Sequence, residues 1–270
     1  MSDLVILIRG AGEIASAIAH RLWRCGFSRI VMTETHSPLA VRRMVSFSVA
    51  VFNGNASVES VGAVLANTAG DFSRIWKDSK IAVIVDPGCA LLHEIQPDIL
   101  IDAILAKRNT GTKIDDAGLV IALGPGFEAG VDCHRLVETD RGHDLGRIIY
   151  NGPTSSNTGE PGNIMGQTHS RVLRAPIGGL LKTFFDIGDQ IGKGGLVASI
   201  KDVPIEAQVS GVLRGILRSG SLVATYTKVG DIDPRSQIPH CFTISDKART
   251  ISGSVLEIIL ASKNSLLLPA

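Results

Sequence analysis

The chain opens on an unbroken apolar run, residues 4–8, bounded by Asp3 and Arg9. A half-solvated strand would alternate; a continuous run of β-prone residues fits a strand covered by helices on both faces of a parallel sheet. Residues 13–25 then carry Ile14, Ala17, Ile18 and Leu22 at helical spacing, and Gly26 suits a left-handed cap. Residues 29–34 read as a second strand, so strand, Gly-rich turn, helix and strand fit in about thirty residues, one βαβ unit. Further short strands are predicted at 47–51, 81–85, 99–103, 119–123, 135–137 and 147–150. Together they predict a mostly parallel sheet with helices on both faces. Between 53 and 80 the pattern is ambiguous: 56–61 alternates like a strand, whereas 61–66 also fits a helix.

Residues 151–166, rich in Gly, Pro, Ser, Thr and Asn, read as a linker or long ordered loop. From 172 to 231 the chain changes to short strands broken by glycines, with an approximate internal repeat. One copy has a Gly-containing strand at 175–181 and a Gly-Asp turn at 188–189; the other has a strand at 207–213 and a Gly-Asp turn at 230–231. The arrangement resembles the two-fold hammerhead of biotinyl and lipoyl carriers, whose modified lysine lies between the halves. Lys201 is near that place but lacks the flanking residues, and Pro204 follows closely, so a solvated turn lysine is the favoured reading. Asp246 can cap a helix over 247–261 whose stripe of Ile251, Val255, Ile258 and Ile259 packs back onto the first domain. The predicted fold class is α/β: a Rossmann-like parallel-sheet domain (1–165), a small all-β barrel-sandwich hybrid (166–236), and a C-terminal helical segment (237–270).

A length of 270 residues with 44% apolar content allows one sizeable core and a smaller one. The 27 basic and 26 acidic side chains nearly cancel, which excludes non-specific attraction to nucleic acid or an anionic membrane. The opening apolar run is too short for a signal-peptide core or a membrane span. Cys25, Cys89, Cys133 and Cys241 are scattered, as expected of reduced thiols in the cytoplasm, and form no cysteine zinc motif. Association into a homo-oligomer is allowed by these features.

Gly10-Ala11-Gly12-Glu13-Ile14-Ala15 fits G-x-G-x-x-G/A after a strand and at the start of a helix, and Glu34 follows at the end of the next strand. In that context the glycines permit a tight turn and close approach to a pyrophosphate, and the acid takes a ribose hydroxyl. Like charges about 4 Å apart repel by roughly 4 kcal/mol at an effective dielectric of 20, so Glu34 slightly favours NAD over NADP. Arg42 and Arg43, in a helix expected from about Pro38, could offset a 2′-phosphate. Asp86 and Cys89 follow the strand at 81–85, and Cys89 is the best thiol candidate, with an inert buried thiol as the alternative. Asp102, Lys107 and Arg108 form a polar cluster suited to a phosphate. The densest cluster begins at Gly124 and Gly126 and continues through Asp132, His134, Glu138 and His143, which offer acid, base or ligand groups without the spacing of a known metal motif. If 135–137 is a strand, His134 and Glu138 share a face.

The segments IRGAGEIA (8–15), MTETHSPLAVRR (32–43), LGPGFEAGVDCH (123–134), ETDRGHDLGR (138–147), NTGEPG (157–162), VLRAP (172–176), GDIDPR (230–235) and TISDKAR (243–249) resemble the YqeB family over almost the whole chain. That family comprises accessory proteins of the selenium-dependent molybdenum hydroxylase system, and it is more loosely similar to XdhC-type maturation factors. The resemblance implies maturation of a molybdenum hydroxylase apoenzyme, with a nucleotide or molybdopterin dinucleotide in the Rossmann cleft; it supplies no catalytic residues. The competing expectation is an NAD(P)-dependent oxidoreductase with His134 or His143 as proton donor. A carrier role would require an added group on Lys201.

Overall fold

The computed structural model describes residues 3–263. Its largest element is a nine-stranded sheet built from β1 (Val5–Arg9), β2 (Arg29–Glu34), β3 (Asn55–Val58), β4 (Val61–Ala66), β5 (Ile81–Val85), β6 (Ile99–Asp102), β7 (Leu119–Leu123), β9 (Arg135–Val137) and β10 (Ile148–Ile149). The order is β10-β9-β7-β6-β1-β2-β5-β4-β3. Seven strands from β9 to β4 run parallel, while β10 and β3 pair antiparallel at the two edges. A separate two-stranded ribbon pairs β8 (Glu128–Ala129) with β11 (Gly152–Pro153).

The unbroken apolar strands make this sheet because both of its faces are covered. Leu7, Val31, Ala82, Leu100 and Val120 share one face and pack with Phe72 and Ile75 of α3 (Phe72–Lys77). Successive side chains alternate across a strand, which sends Ile6, Ile8, Ile30, Ile99 and Ile101, all buried, to the other face. α1 (Glu13–Arg24) packs along α6 (Asp246–Lys263), and each contributes buried apolar side chains, Ile14, Ile18 and Leu22 from one and Ile251, Val255 and Ile259 from the other. The α6 N-terminus is capped by Ser245, whose Oγ accepts the Ala248 amide. Asp246, the expected cap, instead forms a two-pronged ion pair with Arg141.

Several predicted elements differ. The strand predicted at 47–51 is a 3-10 turn (Phe47–Val49) running into the short helix α2 (Ala50–Asn53). The ambiguous 61–66 is strand β4, and α4 (Leu92–Ile95) is a single turn. Between β6 and β7 the chain crosses over without a helix.

Contact clustering divides the chain into two units, the first comprising Met1–Pro38, Ser46–Asn157 and Ile244–Ala270, the second Leu39–Val45 and Thr158–Thr243. The second unit holds β12 (Val172–Arg174), β13 (Gly179–Thr183), β14 (Gln190–Ile191), β15 (Leu196–Ile200), β16 (Val203–Glu206), β17 (Gly211–Ile216), β18 (Leu222–Val223), β19 (Lys228–Asp233) and the short helix α5 (Pro239–Phe242). Its strands form two four-stranded antiparallel sheets, β12-β19-β17-β14 and β16-β15-β13-β18, over a core that includes Leu181, Val197, Ile200, Leu213, Ile216 and Ile232.

The expected Rossmann-like domain followed by a biotinyl-like one is therefore incorrect. The large sheet is mixed, two of its crossovers, β6 to β7 and β7 to β9, lack a helix, and the units are interleaved along the chain instead of consecutive. The inferred repeat also fails at its second copy. Gly230 and Asp231 lie inside β19, where Asp231 and Asp233 are buried in ion pairs with Arg171, Arg214 and Arg235. Lys201 stands with Asp202 in the two-residue turn between β15 and β16. Among the described residues, no helix is long and apolar enough to cross a membrane.

Candidate functional site

The carboxyl ends of β1, β2, β5, β6 and β7 are where an open α/β sheet presents ligand-binding groups. Most of the groups there are committed to the chain's own structure. The register sets Arg9 beside Asp102 on neighbouring parallel strands. Both are buried, with Arg9 Nη1 3.2 Å from Asp102 Oδ2. Thr112 donates to the same carboxylate at 2.7 Å and accepts from Arg9, so the pair is satisfied on several sides. Asn109 holds this loop in shape: its Oδ1 accepts the Gly111 and Thr112 amides at 2.8 Å.

The Gly-rich turn is engaged in the same way. Glu34 Oε2 accepts the Ala11 amide at 3.0 Å, and Oε1 accepts the Thr35 amide at 2.8 Å. The Ala11 carbonyl accepts from Ser16 Oγ and the Ser48 amide, while Ser16 Oγ accepts the Phe47 amide at 2.7 Å. Ala11, Ala15 and Ile14 are buried. A carboxylate thus occupies the amide at which a diphosphate was expected, and residues 47 and 48 close over the turn. Two anions on one amide repel, so a pyrophosphate on the turn expected to bind it, Gly10, Ala11, Gly12, Glu13, Ile14 and Ala15, would compete with Glu34, the expected ribose ligand, for the Ala11 amide.

The remaining candidates divide similarly. Arg42 and Arg43 belong to the second unit, where Arg42 donates to the carbonyls of His240 and Thr243, and Arg43 to Ile216 O and the Asp186 carboxylate. Asp86 accepts the Ala90 and Leu91 amides at 3.0 and 2.9 Å and so shapes the turn that carries Cys89. Burial pushes the Cys89 thiol up to about 11, and that of Cys133 up to about 12, so neither is a thiolate near neutral pH. Lys107 is exposed. Gly124 and Gly126, both at positive φ, serve packing: a Cβ would lie 2.5 Å from Thr139 Oγ1 at the first and 2.4 Å from the Arg108 backbone at the second.

Asp132 accepts the Glu128 amide at 2.8 Å and Asn109 Nδ2 at 3.3 Å, and His143 is exposed. His134 and Glu138 flank β9, about 13 Å apart at strand rise, too far to act on one atom. His134 Nδ1 accepts the Val120 amide at 3.0 Å, and burial followed by Arg135 holds its ring below the usual histidine range. Burial raises Glu138, but the amides of Asp140, Ser155 and Thr139 overcome it and hold the carboxyl below the ordinary range. Among the described residues, no cluster of three His, Cys, Asp or Glu side chains could share a metal ion.

A further group escaped the sequence reading. Lys247, in the first turn of α6, is half-buried and makes no hydrogen bond among the described residues. Burial, then Arg141, push its ammonium below the usual lysine range, against Asp140, Glu13 and Glu138, which raise it. The only signal in the sequence was its place beside the predicted helix cap.

No family model matches the chain. The uncharacterized protein YqeB of Escherichia coli (strain K12) is 46% identical over 256 residues, 95% of this chain. This supports the YqeB family. The chain spans about half of that YqeB protein, 47% of its length. Among solved structures, an aspartoacylase family protein from Mesorhizobium loti is 14% identical, covers 86% of this chain and 85% of its own, and has a TM-score of 0.26. The ectoine utilization protein EutE (DoeB) from Ruegeria pomeroyi is 12% identical, with 86% of each chain covered and a TM-score of 0.26. A succinylglutamate desuccinylase/aspartoacylase from Rhodobacter sphaeroides is 13% identical, covers 86% and 85%, and has the same score. Likeness at that level carries no argument about chemistry.

Proposed function

We propose that this YqeB-like chain is an accessory protein that holds a small polar ligand against Lys247, at the carboxyl edge of its nine-stranded sheet, for use by a partner enzyme. The supporting observation is the unpartnered, half-buried Lys247 ammonium among groups that are otherwise engaged. Taking an ammonium out of water without a hydrogen bond is unfavourable, and a ligand acceptor would offset that cost. Acid, base and thiol work of its own is disfavoured by the bonding of Asp86, Asp102, Asp132 and Glu138 and by the raised thiols of Cys89 and Cys133. The family resemblance names the partner in this reading: a molybdenum hydroxylase apoenzyme of the selenium-dependent kind.

The test is to incubate the full chain with such an apoenzyme, follow complex formation by sedimentation, and measure the hydroxylase activity gained. The wild-type chain should raise that activity and Lys247→Met should lower the gain about tenfold or more. Equal gains with both chains, or none with either, would count against the proposal.

A further inference from the structure

A cavity of about 350 Å³ opens near the amino ends of β7 and β9, beside α6. Its apolar wall includes Leu119, Ile148 and Ile258, and its size is at the small end of the range for small-molecule sites, about 300–1,000 Å³. Its polar lining includes His134, Arg135 and Glu257, with Tyr150 and Ser262 beside them.

Their geometry is fixed before any ligand arrives. Arg135 lies over the Tyr150 ring, 4.7 Å from its centroid, and Nη1 donates to the His134 carbonyl at 2.6 Å. Those contacts immobilise the guanidinium while leaving other N–H groups for a planar anion. His134 Nδ1 is taken by the Val120 amide, which puts the proton of the neutral ring on Nε2 as a second donor. Glu257 brings the opposite charge from α6, and no ion pair joins it to Arg135 among the described residues.

We infer that this cavity binds a small zwitterionic amino acid with an apolar side chain, its carboxylate on Arg135 and His134 Nε2–H, its ammonium on Glu257, and its side chain against Leu119, Ile148 and Ile258. Opposite charges left apart across one apolar cavity select a ligand that carries both. A simple carboxylate would leave Glu257 unanswered, and a simple amine would face Arg135. The site uses none of the groups around Lys247 and stands independently of the function proposed above.

The experiment is calorimetric titration of the full chain with L-leucine and L-phenylalanine, and with isocaproate and isoamylamine as carriers of one charge each. At least one amino acid should bind, and each single-charge analogue about tenfold or more weaker. Glu257→Gln, an exposed change that leaves the fold intact, and Arg135→Gln should each lower amino-acid affinity about tenfold, with Lys247→Met leaving it unchanged. No binding by either amino acid overturns the inference. So does isocaproate binding as tightly as leucine with no response to Glu257→Gln.

Discussion

The carboxylate of Glu34 sits 3.0 Å from the amide of Ala11, inside the turn that its sequence marks for a diphosphate. A second bond to the Thr35 amide fixes the side chain there. NAD, NADP and ATP should therefore show no heat of binding in calorimetry. Glu34→Ala should destabilise the chain by about 1.5–3 kcal/mol in urea unfolding, the range for hydrogen bonds to a charged group. Tight NAD binding by the wild-type chain would refute the assignment of this turn.

Arg9 and Asp102 form a buried pair whose members each depend on the other. Asp102→Ala should cost about 3–5 kcal/mol by leaving a buried guanidinium uncompensated, whereas the joint change Arg9→Met with Asp102→Leu should recover most of that loss. Denaturant midpoints of the wild type, Asp102→Ala and the double variant decide it, and a double variant no more stable than Asp102→Ala would contradict the coupling.

Carboxyls held below their ordinary range make stability depend on acid. Glu138, Asp231 and Asp233 all have lowered values in the folded chain. Their contribution is fully present above the unfolded values, 4.5 for Glu and 3.8 for Asp, and is lost as pH falls through the lower folded values. Melting temperature should thus hold down to about pH 5 and fall below it, and Glu138→Gln should flatten part of that fall. A profile unchanged by the substitution would remove Glu138 from the account.

Thiol reactivity should separate by burial. Cys25 is exposed, whereas Cys89, Cys133 and Cys241 are buried, and all three buried thiols are pushed up. Iodoacetamide at about pH 8 should label Cys25 alone in the native protein, read by peptide mass spectrometry. Rapid labelling of Cys89 would restore it as a candidate nucleophile.

Lys247 predicts an opposition between stability and use. Lys247→Met removes a half-buried ammonium without a hydrogen bond, so it should leave stability unchanged or raise it by about 0.5–2 kcal/mol while impairing function. A loss of stability of similar size would mean that the fold itself needs this charge.

Periodicity located the interior well: β1, α1, β2, β5, β6, β7 and β9 lie where the apolar runs put them, because a sheet covered on both faces needs unbroken apolar strands. Local patterns failed where distant contacts decide. Residues 47–49 form a 3-10 turn because their amides are drawn onto Ser16 and Ala11. The β3–β4 hairpin turns through Glu59 and Ser60, both at positive φ, without the Asn-Gly signal that marks such turns. Glu59 is kept there by bonds to the Ile244 amide and to Arg249, more than 180 residues away in sequence. At the site, residue types alone could not tell a carboxylate awaiting a ligand from one already holding backbone, as Asp86 and Glu138 do.

The pairing of α1 with α6 bears on how the polypeptide is made. A ribosome releases α1 well before the helix that shields it, which emerges more than two hundred amino acids later. Throughout that interval, the growing chain exposes a greasy flank that only α6 can cover.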